Sequence, residues 1–230
     1  MKKYTSILFD VDNTLLDFSK EEKTALKKTL VEFSLPNDDS TISLYSEINA
    51  RQWQNFENGT ITKDRLKEKR FEILFEAINI RPEADIKTIN FTYEQNLSRG
   101  GILICGAKDT LLKLSEEGYK IYAVTNGSTL SQTNRLHRTG LDKIFDGIFI
   151  SELIGFQKPK KEYFDYVFAN IEEKDKSKIL LVGDSLTSDI KGAVLSDIDS
   201  VWINPKNKKH PEDIIPTFEI QSVKDIFKLL

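Results

Sequence analysis

Two aspartates stand two positions apart directly after a short apolar run: Ile7-Leu8-Phe9 leads into Asp10-Val11-Asp12-Asn13-Thr14. In an extended chain such residues project to the same side, so Asp10 and Asp12 present paired carboxylates. Two close anions repel, which raises the proton affinity of one of them, and a hard divalent cation with oxygen ligands relieves the repulsion. The pair therefore suits a site that holds a hard divalent cation. Taken alone, such a pair is more often an acidic cap on a loop.

Three further segments repeat the pattern of an apolar run meeting polar groups. Val182-Gly183-Asp184-Ser185 ends another run, with Asp189 five residues beyond Asp184. Carboxyl ends of parallel strands lie side by side, so Asp184 can approach Asp10 and add a ligand toward an octahedral Mg²⁺. Asp189 falls in the first turn of the next helix, either supporting the metal ligands or compensating the helix dipole. Ile121 to Val124 runs into Thr125-Asn126-Gly127-Ser128, a turn that offers a hydroxyl and backbone N–H donors to phosphate oxygens. The same turn also reads as a helix cap on Ser128 or Thr129. Lys158-Pro159 sets a lysine at a fixed loop position, where its ammonium could balance an acidic nucleophile and an incoming phosphate.

The elements that must position these groups alternate. Apolar runs at Ile7–Phe9, Ile121–Val124, Ile148–Ile150, Ile179–Val182 and Val201–Ile203 read as buried strands. Helical stretches near 107–117, 129–139, 160–170 and 187–196 fall between the later ones, which implies a parallel sheet covered on both faces. Residues 18–99 differ, having helical periodicity and no strand candidate. Leu26, Leu30 and Phe33 share one helix face there, and Phe71, Leu74, Phe75 and Ile78 share another. Gly100-Gly101 marks the return. Two units follow: an α/β core of residues 1–17 and 100–230, and an all-helical insertion of residues 18–99.

Composition narrows the functions. With 39% hydrophobic and 30% charged residues in 230, the chain is that of an ordinary globular protein. A net charge of −3 gives no long-range attraction to nucleic acid. Cys105 is the single cysteine, so no internal disulfide forms, and it reads as a small buried hydrophobe. The start of the chain is too short in apolar residues for a signal or a membrane span, and a cytoplasmic protein is expected. The basic run Lys206 to His210 reads as a solvated loop, and neither His137 nor His210 has an identifiable catalytic partner.

Asp10-Val11-Asp12-Asn13-Thr14, Thr125-Asn126, Lys158-Pro159 and Gly183-Asp184 with Asp189 together resemble the four motifs of the haloacid dehalogenase superfamily. The helical insertion resembles the small cap of one of its branches. The resemblance implies a Rossmann-like core and a phosphatase in which Asp10 attacks phosphorus and Asp12 acts as acid and then base. It implies Mg²⁺ held by the Asp10 side chain, the Asp12 backbone carbonyl and Asp184, with Thr125, Asn126 and Lys158 on the phosphoryl oxygens. Asn13 stands where many relatives have glycine. That variant, with Thr125-Asn126-Gly127, Gly155 to Pro159 and Asn204-Pro205, resembles a nucleotidase subgroup acting on pyrimidine and modified nucleoside monophosphates. A small phosphate ester, most closely a nucleoside monophosphate, is the expected partner. A sugar-phosphate phosphatase or mutase is the alternative, and a receiver-like phosphoacceptor a remote one. The cap would select the substrate; Trp53 and Phe56 could stack on a base, or simply pack their helix.

Overall fold

The computed structural model describes residues 2–230, which divide into two compact units, 2–17 with 102–230 and 18–101.

The larger unit is built on six strands: β1 (Ser6–Phe9), β2 (Lys120–Thr125), β3 (Gly147–Ile150), β4 (Ile179–Gly183), β5 (Asp199–Ile203) and β6 (Phe218–Ile220). All neighbours are parallel and the order is β3-β2-β1-β4-β5-β6. The sheet is Rossmann-like, and its central strand is the one that carries Asp10. Alternation explains the continuous apolar runs. Ile7, Phe9, Ile121, Ala123, Leu180 and Val182 pack in one cluster, while Leu8, Tyr122, Val124 and Leu181 pack in another, so both faces are buried.

β6 was not anticipated. It is three residues long with Glu219 exposed between its two apolar neighbours, and only its pairing with β5 identifies it.

Helices of this unit are α5 (Ala107–Glu116), α6 (Thr129–Thr139), α7 (Ser151–Ile154), α8 (Lys161–Asn170) and α9 (Lys191–Ser196). The expected helix at 187–196 is a π turn over Leu186–Ile190 followed by α9. Cys105 is exposed, contrary to expectation. It sits in the loop that ends at Gly106 before α5, and its Sγ accepts from Lys224 Nζ at 3.3 Å. A loop with that surface position has no apolar face to give it.

The smaller unit contains α1 (Phe18–Glu32), α2 (Asp39–Glu57), α3 (Lys63–Ala77) and α4 (Ile86–Ser98). Asp38, Thr62 and Asp85 cap the last three by accepting backbone N–H bonds. Leu26, Leu30, Tyr45, Phe71, Leu74, Phe75 and Tyr93 form its core. Arg70 is buried among them and donates to Asn49 and Asn90. Gly101 closes the unit by donating its N–H to Glu21 Oε1 at 2.8 Å, which carries the helical unit two residues past 99. Phe56 is buried and meets the half-buried Trp53 edge-on at 5.8 Å, so the pair packs ring against ring along α2. No described helix is long and apolar enough to cross a membrane.

Candidate active site

The site begins where β1 ends. Asp10 continues the ladder by donating its N–H to Val182 O at 2.9 Å, which places its carboxylate at the sheet's carboxyl edge between β2 and β4. The chain must then turn sharply. Asn13 does so at φ 58, with its N–H donating to Leu16 O at 2.7 Å. This left-handed conformation is open to glycine and, among other residues, best tolerated by asparagine. Asn13, standing where many relatives have glycine, thus keeps the turn.

Lys158 ties three segments together. Its Nζ donates to Asp10 Oδ1 at 2.7 Å, to Asp189 Oδ1 at 2.7 Å and to Val124 O at 2.8 Å, using all three protons. Asn126 fixes the loop that delivers it: Asn126 Nδ2 donates to Lys158 O at 2.9 Å, and Asn126 Oδ1 accepts from Lys158 N at 2.9 Å. The Asn126 side chain therefore braces the lysine loop. The Thr125 hydroxyl is buried beside it and accepts from Gly127 N at 3.1 Å and Gln132 Nε2 at 3.0 Å.

After β4, the π turn sets the last acids. Asp189 N and Ile190 N both donate to Ser185 O. Both Asp189 carboxylate oxygens are engaged, Oδ1 with Lys158 and Oδ2 with the Ser185 N–H at 3.1 Å. The fit is close: a Cβ on Gly183 would lie 2.3 Å from Asp189 Oδ2. Asp184 is anchored through its backbone, whose carbonyl accepts the Trp202 indole N–H at 2.9 Å.

Charge does not balance in this cluster. Burial pushes the Asp10 carboxyl upward; Lys158 draws it down, while Asp189 and Asp12 add to the rise. The Lys158 ammonium is opposed by its burial, yet Asp10 and Asp189 hold it well above the ordinary lysine range. One ammonium faces several carboxylates. Asp10, Asp184 and Asp189 bring carboxylate oxygens within 4.8 Å of one another. Hard oxygen donors with surplus negative charge fit Mg²⁺.

Two residues on α6 that no sequence motif marks also reach the site. Gln132 Nε2 donates to Asp12 Oδ2 at 2.6 Å, and the Arg135 guanidinium lies 2.7 Å from Asp12 Oδ1. Their spacing of three puts both on one helix face. That periodicity was the only available signal, and it points to neighbours only once α6 is known to follow the Thr125 turn. Neither histidine joins the site: His137 Nδ1 meets Asp142, and His210 Nδ1 meets the Pro211 carbonyl.

A parallel sheet whose central strand tips gather carboxylates around a buried ammonium defines an α/β protein with a charged site at the carboxyl edge of its sheet, whose oxygen donors could hold a hard cation. Comparison with known proteins gives this class its family. Residues 7–203 match the haloacid dehalogenase-like hydrolase (HAD) model. The Bacillus subtilis protein bearing the HAD-hydrolase name YfnB is 40% identical, covering 100% of this chain and 97% of its own. A crystal structure of YfnB bound to magnesium superposes with a TM-score of 0.94 at 39% identity, covering 100% and 99% of the two chains. Pyrimidine 5′-nucleotidase PynA of Streptococcus pneumoniae is 36% identical over 99% of this chain and 95% of its own. Pyrimidine 5′-nucleotidase YjjG of Escherichia coli is 32% identical over 99% and 98%. The chain belongs to the haloacid dehalogenase-like hydrolases and is an enzyme of that family.

Proposed function

We propose that the chain is a Mg²⁺-assisted phosphoric monoester hydrolase that acts on nucleoside 5′-monophosphates through an aspartyl-phosphate on Asp10. The observation that carries this reading is the buried Lys158 ammonium held at 2.7 Å from Asp10 Oδ1, beside a cluster of carboxylates that a divalent cation would balance. Full-length similarity to two pyrimidine 5′-nucleotidases supports the substrate class.

In this reading an Asp10 carboxylate oxygen attacks phosphorus in line, and the bond from phosphorus to the ester oxygen breaks. Asp12 gives its proton to that departing oxygen. Asp12, now a carboxylate, takes a proton from water as the water oxygen attacks the phosphoryl group; the bond to Asp10 breaks and inorganic phosphate leaves. Asp10, Asp184 and the Asp12 backbone carbonyl would hold Mg²⁺, with Asp189 supporting them from behind. The cation, when bound, neutralises charge on the phosphoryl oxygens. Thr125 directs its hydroxyl at one phosphoryl oxygen. Asn126 contributes its backbone N–H, since its side chain secures the Lys158 loop. Lys158 keeps Asp10 oriented and shares its charge with the incoming phosphate.

The test is phosphate release from a panel of nucleoside monophosphates and sugar phosphates with Mg²⁺. Higher kcat/KM on the pyrimidine nucleotides agrees with the proposal, and higher values on sugar phosphates overturn the substrate assignment. No release from any ester overturns the reaction itself.

A further inference from the structure

Asp12 is held at both of its oxygens by α6. Gln132 is fully buried and its amide nitrogen is divided between Asp12 Oδ2 at 2.6 Å and Thr125 Oγ1 at 3.0 Å, so one side chain sets the spacing of the first and second motifs. The Arg135 side chain is 1% exposed, and its guanidinium pairs with Asp12 Oδ1 at 2.7 Å. Burying a guanidinium is expensive unless an anion faces it. Gly127 supplies an independent indication that Gln132 must lie where it does. A Cβ there would fall 2.1 Å from Gln132 Nε2 and 2.7 Å from its Cγ and Cδ, although the backbone at this glycine is not left-handed. Glycine is needed for the space that Gln132 occupies.

We propose that Gln132 and Arg135 are positioning residues that hold the Asp12 carboxyl for proton transfer to the departing ester oxygen. This inference rests on the proposed hydrolysis. As Asp12 releases its proton, negative charge develops on its carboxyl group. The Arg135 guanidinium and the Gln132 N–H are already in place to receive that charge, with no reorganisation in the transition state. Loss of either contact lets the carboxyl leave its line with the leaving oxygen, while Asp10 and Lys158 stay as they are. The consequence depends on the leaving group. A nucleoside alkoxide must be protonated as it departs, whereas p-nitrophenolate leaves with little help.

The experiment compares kcat/KM for uridine 5′-monophosphate and p-nitrophenyl phosphate in wild type, Gln132→Leu, Arg135→Lys, Arg135→Leu and Gly127→Ala. kcat/KM reports events through departure of the leaving group, so the later attack of water does not enter. Arg135→Leu is expected to lose about tenfold or more on the nucleotide and less than about threefold on p-nitrophenyl phosphate, and Gln132→Leu, which also releases Thr125, to lose more on the nucleotide than on p-nitrophenyl phosphate. Arg135→Lys should recover part of the loss. Gly127→Ala keeps both side chains while displacing Gln132, and is expected to show the same selective loss even if the Arg135 variants fail to fold. Equal losses on both substrates, or no loss in the folded variants, overturn the inference while leaving the proposed reaction standing. A wild type inactive on both esters overturns the reaction, and this inference with it.

Discussion

The Lys158 ammonium lies 2.7 Å from Asp189 Oδ1, and both side chains are 1% exposed. The pair joins the loop before α8 to the π turn after β4, and through the same nitrogen it reaches Asp10. Removing the lysine leaves two buried carboxylates without their counter-charge, which typically costs about 3–5 kcal/mol. Lys158→Met is therefore expected to lower the unfolding free energy by that amount, measured in urea, and to abolish turnover. Lys158→Met combined with Asp189→Asn should regain part of the stability and none of the activity. If Lys158→Met alone is as stable as wild type, the ion cluster is not buried as described.

Gly183 tests the other side of the same cluster. Its missing Cβ makes room for Asp189, whose Oδ2 would lie 2.3 Å from it. Gly183→Ala should push Asp189 off Lys158 and cost about 1–3 kcal/mol, the range found for overpacking a closed site. Activity should fall with it, and urea melts with a phosphate-release assay on the same preparation check both.

Protons and Mg²⁺ should compete at Asp10. Its carboxyl, pushed up to about 7 chiefly by burial, binds a proton more tightly in the fold than in the unfolded chain, where the ordinary value is 3.8. A raised acid makes the metal-free fold less stable as pH rises through that interval. The stabilisation by added Mg²⁺, read as a shift in Tm after chelation, should thus be larger at pH 8 than at pH 5. Asp184→Asn should reduce the shift at both. A Mg²⁺ shift that does not depend on pH contradicts this.

Much of this was legible in the sequence because strand ends carry their own punctuation. Each of Asp10, Thr125 and Asp184 follows an unbroken apolar run, and parallel order brings such ends to one edge. Lys158 was legible only by its place in the series. What sequence could not reveal depends on packing. β6 exists through its pairing with β5, Asn126 turns toward a backbone 32 positions away, and Gln132 and Arg135 lie one and two turns into a helix whose orientation no local pattern specifies. Cys105 was misplaced because an apolar side chain in a loop carries no periodicity to read.

In the proposed reaction Asp10 carries the phosphoryl group. The measurement that meets it most directly is intact-protein mass spectrometry after acid quench, with peptide mapping, during turnover of a pyrimidine nucleoside monophosphate with Mg²⁺. Wild type should carry an acid-stable, hydroxylamine-labile phosphate on the Asp10 peptide, and Asp10→Asn should carry none and lose at least about 10³-fold in kcat. A phosphate on any other residue, or an Asp10→Asn protein that still turns over, would contradict it.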